Sequence, residues 1–383
     1  MKKLHILVAL VLVLGITACK AETEKNKPAL AIESTPMLSK KHTIKVALLL
    51  DTSNSMDGLI DQAKAQLWEL VNELSHARCK KERPTLEIAL YEYGNDGLSE
   101  EKGFLRKITS FTDDLDTISK ELFSLTTNGG SEYCGTVIKA SLEDLEWGKD
   151  ADDLKLIFIA GNEPFTQGKI NYKDAAADAK EKGVVVNTIF CGNFQHGVDS
   201  HWKDGATLTY GDYTAIDHNK QTVHIASPYD DLILQLNIQL NQTYVPYGAY
   251  GRKKVALQEE QDNNAVSYSK ANAVSRTVSK GSHLYKNETW DLVDAEKEKD
   301  FDYSELKKEE LPDNLKGKTT TQIKRYVKEK RNERNRIQDE IASLNKRRRT
   351  YIAENKDGGS NALESAMIQA LKKQAQQKNY TWE

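Results

Sequence analysis

The chain has 383 residues, with 54 lysines and arginines against 57 aspartates and glutamates, a formal net charge of −3 at pH 7. So even a balance creates no field to draw in a polyanion and argues against a nucleic-acid partner. The length allows one large core with a further segment beside it.

At the N-terminus Lys2 and Lys3 precede an apolar run over residues 6–16, too short to cross a bilayer and shaped like an export signal. The run closes on Ile16-Thr17-Ala18-Cys19, which resembles a bacterial lipobox. The resemblance implies removal of residues 1–18, acylation of Cys19 and retention at a membrane of the bacterial envelope. Lys20 rather than Asp follows Cys19, the pattern that permits transfer to the outer membrane in Gram-negative lipoproteins of the familiar kind. Residues 19–42 are polar with scattered proline and read as a flexible tether.

From residue 43 to about 245 apolar runs alternate with helical periodicity, predicting a doubly wound α/β layer on a mostly parallel sheet. Strands are expected over 44–50, 86–93, 154–160, 184–190 and 213–216, with 103–111 as an antiparallel partner at an edge. Helices are expected over 58–76, 115–125, 135–145, 172–182 and 229–240, the last closing the layer. The first strand ends Leu48-Leu49-Leu50-Asp51-Thr52-Ser53-Asn54-Ser55, so a carboxylate and two hydroxyls fall at the carboxyl end of a buried strand. Open α/β sheets place ligand sites there. These are hard oxygen donors suited to Mg²⁺. Ser53 or Ser55 capping the following helix, with Asp51 near its positive end, is the alternative.

The Asp51-x-Ser53-x-Ser55 motif resembles the metal-ion-dependent adhesion site of von Willebrand factor A domains. That resemblance covers residues 43–245 and implies a Rossmann-like sheet holding Mg²⁺, or Mn²⁺ or Ca²⁺, with one coordination position left for the carboxylate of a partner protein. In the family a second loop gives a Thr and a third an Asp. Here the second loop reads Gly129-Gly130-Ser131-Glu132, with Ser131 at the Thr position and Glu132 as an extra carboxylate. Thr126 and Thr127 are upstream alternatives. The third loop reads Ala160-Gly161-Asn162-Glu163-Pro164, with Gly161 where the Asp belongs. Asn162 or Glu163, directly or through water, and Glu132 are the candidates to replace the lost donor.

Three cysteines follow Cys19, and an exported protein matures where disulfides persist. Cys134 and Cys191 both fall near the carboxyl edge of the expected sheet, so a bridge between them is expected, with two separate thiols as the alternative; Cys79 is left over. His196, Asp199 and His201 lack a third strong ligand at fixed spacing and read as a surface loop.

Residues 246–318 read as a polar, partly ordered linker. Over 319–352, Ile323, Val327, Ile337, Ile341, Leu344 and Tyr351 follow a three–four spacing, interrupted by Lys330, Arg334 and Arg348. With Gly358-Gly359 and a second stripe of Leu363, Met367, Ala370 and Leu371, region 319–383 reads as a helical hairpin or coiled coil able to self-associate. Lys346-Arg347-Arg348-Arg349 reads as a solvated face.

Three functions compete. The first is a membrane-anchored envelope protein that binds a partner through the metal site. The second is a structural envelope protein with a metal-free A domain that binds through its C-terminal helices. An enzyme is the third, since Asp51 also resembles the nucleophile of haloacid-dehalogenase-type phosphatases. Those need a second Asp two residues on, where this chain has Ser53, and no nucleophile elbow or phosphate loop is present. The expectation is a non-enzyme.

Overall fold

A computed structural model describes residues 42–219, 225–355 and 362–382. The export signal, Cys19, all of the tether but His42, and Gly358-Gly359 lie outside the described residues.

The strand β1 (Thr43–Asp51) is buried over its last six residues, as its apolar run demands. The chain then forms α1 (Asp57–Leu74), β2 (Ala77–Cys79), β3 (Thr85–Tyr93), β4 (Leu105–Thr112), α2 (Leu115–Ser124), α3 (Cys134–Asp144), β5 (Leu154–Gly161), α4 (Tyr172–Glu181) and β6 (Val185–Cys191). Two short helices, α5 (Phe194–Asp199) and α6 (Trp202–Thr207), lead to β7 (Tyr213–Ile216). The six-stranded sheet has the order β4-β3-β1-β5-β6-β7. Only the edge strand β4 is antiparallel, and β1 is central, paired with β3 and β5. The predicted doubly wound layer is therefore present, with its antiparallel edge where expected.

Alternation along the strands divides the core in two. Val46, Leu48, Leu156, Phe158 and Cys191 face α1 and α2, whereas Ala47, Leu49, Ile157, Phe190 and Cys134 belong to the cluster under α3 and α4. Cys134 and Cys191 thus lie in clusters on opposite faces, and both are free thiols, as is Cys79 in β2. The expected bridge is corrected: nearness to one edge does not bring together side chains on opposite faces of a pleated sheet.

The remaining elements are α7 (Asp230–Asn241), α8 (Gly251–Tyr268), α9 (Lys270–Ser279), α10 (Leu292–Ala295), α11 (Thr320–Glu354), α12 (Ala362–Gln376) and β8 (Tyr380–Trp382). Three expectations fail here. α7 packs against α9 and α11 rather than closing the sheet. Region 246–318 is not a linker, since α8 and α9 pack on α2 and α1 and Val245, Leu292, Leu311 and Leu315 form a small core with Ile323 and Val327. Nor do the last two helices form a hairpin. α12 crosses back to the sheet, where Leu363, Met367, Leu371 and Ala375 join the β1–α1 core, and β8 pairs antiparallel with β2. The buried amides of Asn187 and Gln374 fasten α12 to β6 at 3.1 Å.

Charged side chains hold the helical layer in place. Arg276 on α9, fully buried, donates to Asp116 of α2 at 2.7 Å, to Asp262 of α8 at 2.6 Å and to the Gln258 carbonyl at 3.0 Å. Its guanidinium stacks 4.7 Å from the Trp68 ring of α1. Lys280 joins Asp262 at 2.9 Å. Burial works against the charge on Asp262, yet Lys280 and Arg276 hold its carboxyl well below the usual range. On α11 a Thr319–Gln322 capping box starts the helix. Two of the residues that interrupted its stripe are anchors, since Arg334 binds Asp291 at 2.7 Å and Arg348 binds Asp230 at 3.0 Å, whereas Lys330 pairs within the helix with Glu333 at 2.9 Å. The apolar seam of α11 is consumed inside the chain.

Two outcomes test this packing. Arg276→Ala leaves Asp116 and Asp262 buried without their shared partner, and chemical denaturation should show a loss of about 3–5 kcal/mol. Gln66 lines a cavity of about 30 Å³ among apolar residues of β1, α1 and α12, with its side-chain amide unpartnered among the described residues. Gln66→Leu should therefore stabilise the protein by about 1–2 kcal/mol in the same assay, since an unpaired buried amide is costly.

Candidate metal site

The turn after β1 is built by the backbone before any side chain acts. Thr52 N–H donates to the Tyr93 carbonyl at 2.8 Å, Asn54 N–H to Gly129 at 3.0 Å and Asn128 N–H to Thr52 at 2.9 Å. These bonds pin the first loop to β3 and to the second loop. Ser131 forms a bridge with Gly94, and so sets Glu132 beside Asp51. A Cβ added to Gly94 would meet Asp51 Oδ1 at 2.5 Å and Glu132 Cγ at 2.9 Å, and its φ is +81°. Only glycine serves there.

Asp51 is fully buried and Glu132 only 1% exposed. One oxygen of Asp51 accepts from the Ser53 N–H at 2.7 Å, while Oδ2 has no hydrogen-bond partner among the described residues. Glu132 Oε2 accepts from the backbone N–H groups of Glu163 at 3.1 Å and Asn162 at 3.4 Å. Burial first, and the Glu132 charge second, push the Asp51 carboxyl well above its ordinary value; burial also raises Glu132.

Neither serine caps a helix: Ser53 makes no side-chain cap bond, and the cap position of α1 is taken by Met56, which makes none. The capping alternative therefore fails, and the two hydroxyls lie 3.4 Å apart, Ser53 buried and Ser55 exposed. Thr127 is already engaged with Asp57, and the exposed Thr126 offers its carbonyl to Asn95. In the third loop Asn162 Oδ1 is buried without a partner among the described residues. The Glu163 carboxylate instead takes a 3.5 Å bond from Gln167, so this residue serves Glu132 through its N–H.

Tyr93 and Gln167 escaped the sequence reading. The Tyr93 hydroxyl donates to the Ala160 carbonyl at 3.0 Å and lies 2.5 Å from where a Cβ on Gly161 would sit. Tyr93 pairs with Asp51 across the sheet, so the register of β3 with β1 was the available signal. Gln167 accepts the Glu132 N–H at 2.9 Å, and no local pattern marks it.

The arrangement fits a divalent cation. Two buried carboxylates lie against each other, two serine hydroxyls stand beside them, and two buried oxygens are orphaned. Among the described residues no three His, Cys, Asp or Glu side chains gather to hold a metal, so any ion here would rely on hydroxyl, amide and water oxygens for the remaining positions, as Mg²⁺ does readily. His196, Asp199 and His201 belong to no metal cluster among the described residues.

Residues 45–201 match the sequence model of the von Willebrand factor type A domain. No curated protein matches the chain. Among solved structures, the conserved hypothetical protein BatB from Bacteroides thetaiotaomicron is 16% identical over 45% of this chain and 90% of its own, with a TM-score of 0.35. The VWA domain of SpRpn10 is 14% identical over 46% of this chain and 90% of its own, at 0.33. Proximal thread matrix protein 1 from the mussel byssus is 12% identical over 47% of this chain and 43% of its own, at 0.34.

Two measurements probe the site itself. Gly161→Asp should destabilise the protein by about 1–3 kcal/mol through its clash with Tyr93, and Tyr93→Phe should recover part of that loss in a double-mutant cycle. In metal-free protein the raised carboxyls hold protons that the unfolded chain has already released. Stability should therefore fall as pH rises from the ordinary values of 3.8 and 4.5 through the raised native ones. Melting curves of Glu132→Gln should show a flatter dependence.

Proposed function

We propose that this chain, whose residues 45–201 are a von Willebrand factor type A domain, is a non-enzymatic interaction protein of the bacterial envelope that binds a divalent cation and, through it, a carboxylate on a partner protein. Asp51, Ser53, Ser55, Ser131 and Glu132 hold the ion in this reading, with Asn162 lending its orphaned amide oxygen. The bound ion supplies a hard electrophilic centre, Mg²⁺ foremost and Mn²⁺ or Ca²⁺ as alternatives. The chain's own residues make the place for it: β1 and the Gly94 turn press two carboxylates together, and Tyr93 fills the space below Gly161. The observation that carries the reading is the Asp51–Glu132 pair, buried together with Asp51 Oδ2 left bare.

Anchoring through Cys19 rests on the lipobox-like sequence alone. Among the described residues no helix is long and apolar enough to cross a membrane. Gly161, standing where the family pattern has an Asp, favours a second reading, a structural envelope protein with a metal-free A domain that binds through its C-terminal helices.

Calorimetric titration with Mg²⁺ and Mn²⁺ separates the two. Wild type should bind either ion. Asp51→Ala should abolish binding, Glu132→Gln weaken it about tenfold or more, and Ser53→Ala and Ser55→Ala weaken it less. Glu163→Gln should leave it nearly unchanged, because that carboxylate faces Gln167. No heat and no thermal shift at millimolar metal would give the second reading the field.

A further inference from the structure

The helix α1 carries the chain away from Asp51 for 18 residues, about 27 Å at the helical rise, so its last turn lies toward the opposite edge of the sheet. There a cavity of about 620 Å³ opens between the end of α1, the end of α9 and the second half of α11, a volume in the range that holds small ligands. Its charges are unevenly spent. Arg349 of α11 donates to Nε2 of His76 at 3.1 Å, a contact that requires a neutral imidazole because the guanidinium always keeps its proton. Lys346, one turn earlier on the same face, lines the cavity with no ion-pair partner among the described residues, and Asn345 lines it beside them. The two carboxylates on the facing wall are engaged, Glu73 with Lys372 and Glu69 with the Ser275 hydroxyl.

His76 thus meets the Arg349 guanidinium directly, with Lys346 on the same wall and Glu73, already paired with Lys372, beside them. Burial comes first, and the charges of Arg349, Arg78 and Lys372 add to it in pushing the His76 proton off, against the opposing pull of Glu73. An anion seated among these groups would relieve that repulsion. Arg349 offers its remaining N–H groups as a planar fork, Lys346 a point charge and Asn345 an amide donor, enough donors to serve the several oxygens of a tetrahedral oxyanion. The rest of the cavity has room for the group that bears it.

We propose that this cavity binds the phosphate group of an anionic ligand, held by Arg349 and Lys346 of α11 across from His76 of α1. The phosphate belongs either to a soluble phosphate ester or to a lipid headgroup, and the chemistry of capture is the same. The proposal is independent of the metal reading, because none of its residues touches the Asp51 loop.

Residues 41–383 form one compact unit, so the chain from residue 20 onward, free of Cys19, serves for the test. The probes are inorganic phosphate and vesicles of phosphatidylcholine with or without phosphatidylglycerol. Phosphate or phosphatidylglycerol vesicles should bind saturably and shift the His76 ring resonances toward the protonated form. Arg349→Ala should weaken binding about tenfold and Lys346→Ala by a lesser factor. Arg347→Ala, exposed on the same helix but outside the cavity, removes the same charge and should change little. Binding of inorganic phosphate with indifference to the vesicles assigns a soluble ester; the converse assigns a headgroup. Failure of both probes to bind, or equal losses in Arg349→Ala and Arg347→Ala, would overturn the proposal.

Discussion

A carboxylate buried against a second carboxylate constrains everything around the carboxyl edge of this sheet. Two like charges about 4 Å apart cost on the order of 4 kcal/mol even at an effective dielectric of 20, and neither Asp51 nor Glu132 can turn to water. The pair must share a proton or a cation. Backbone donors from Ser53, Asn162 and Glu163 offset part of the cost, but they leave Asp51 Oδ2 bare. The strain is tolerated because the scaffold is rigid. β1 is the central strand, and its neighbours β3 and β5 fix both the Gly94 turn and the Gly161 turn.

The same chain fixes a second body of helices to the outer side of α1 and α2. Here too buried charge, not apolar area alone, settles the geometry. Arg276 touches α2, α8 and the Trp68 ring of α1 at once and so ties the helical layer to the sheet's outer helices. The return of α12 to the sheet, and of β8 to β2, then brings the end of the described chain back to its beginning. Residues 362–382 thus pack on the sheet and on β2, far along the chain from the segment 45–201.

The strands were legible because parallel sheets need continuous apolar runs, and each expected strand appears within two residues at either end. The loop of Asp51, Ser53 and Ser55 was legible for the same reason, since polar donors directly after such a run have few structural explanations. Glu132 was visible only against a family pattern that lacks it. The helical region was misread because its buried positions are polar. Asn272, Ser275, Arg276 and Thr277 of α9 are all buried, and Arg334 and Arg348 occupy seam positions of α11. Hydrophobic periodicity assigns such residues to solvent, and only their partners in distant segments explain them. α12 showed its apolar stripe plainly, but nothing local told which surface it would cover. The disulfide failed on alternation: placing Cys134 and Cys191 at one edge ignored which face each side chain takes.

The central claim is that carboxylates from the first and second loops hold one cation, with no side chain at residue 161. A crystal structure with Mn²⁺ soaked in, read from its anomalous signal, tests it most directly. The account predicts a single peak within bonding distance of Asp51 and Glu132, with Ser53 or Ser55 and water completing the shell. A map without that peak, with the two carboxyls hydrogen-bonded to each other through a shared proton, would contradict it.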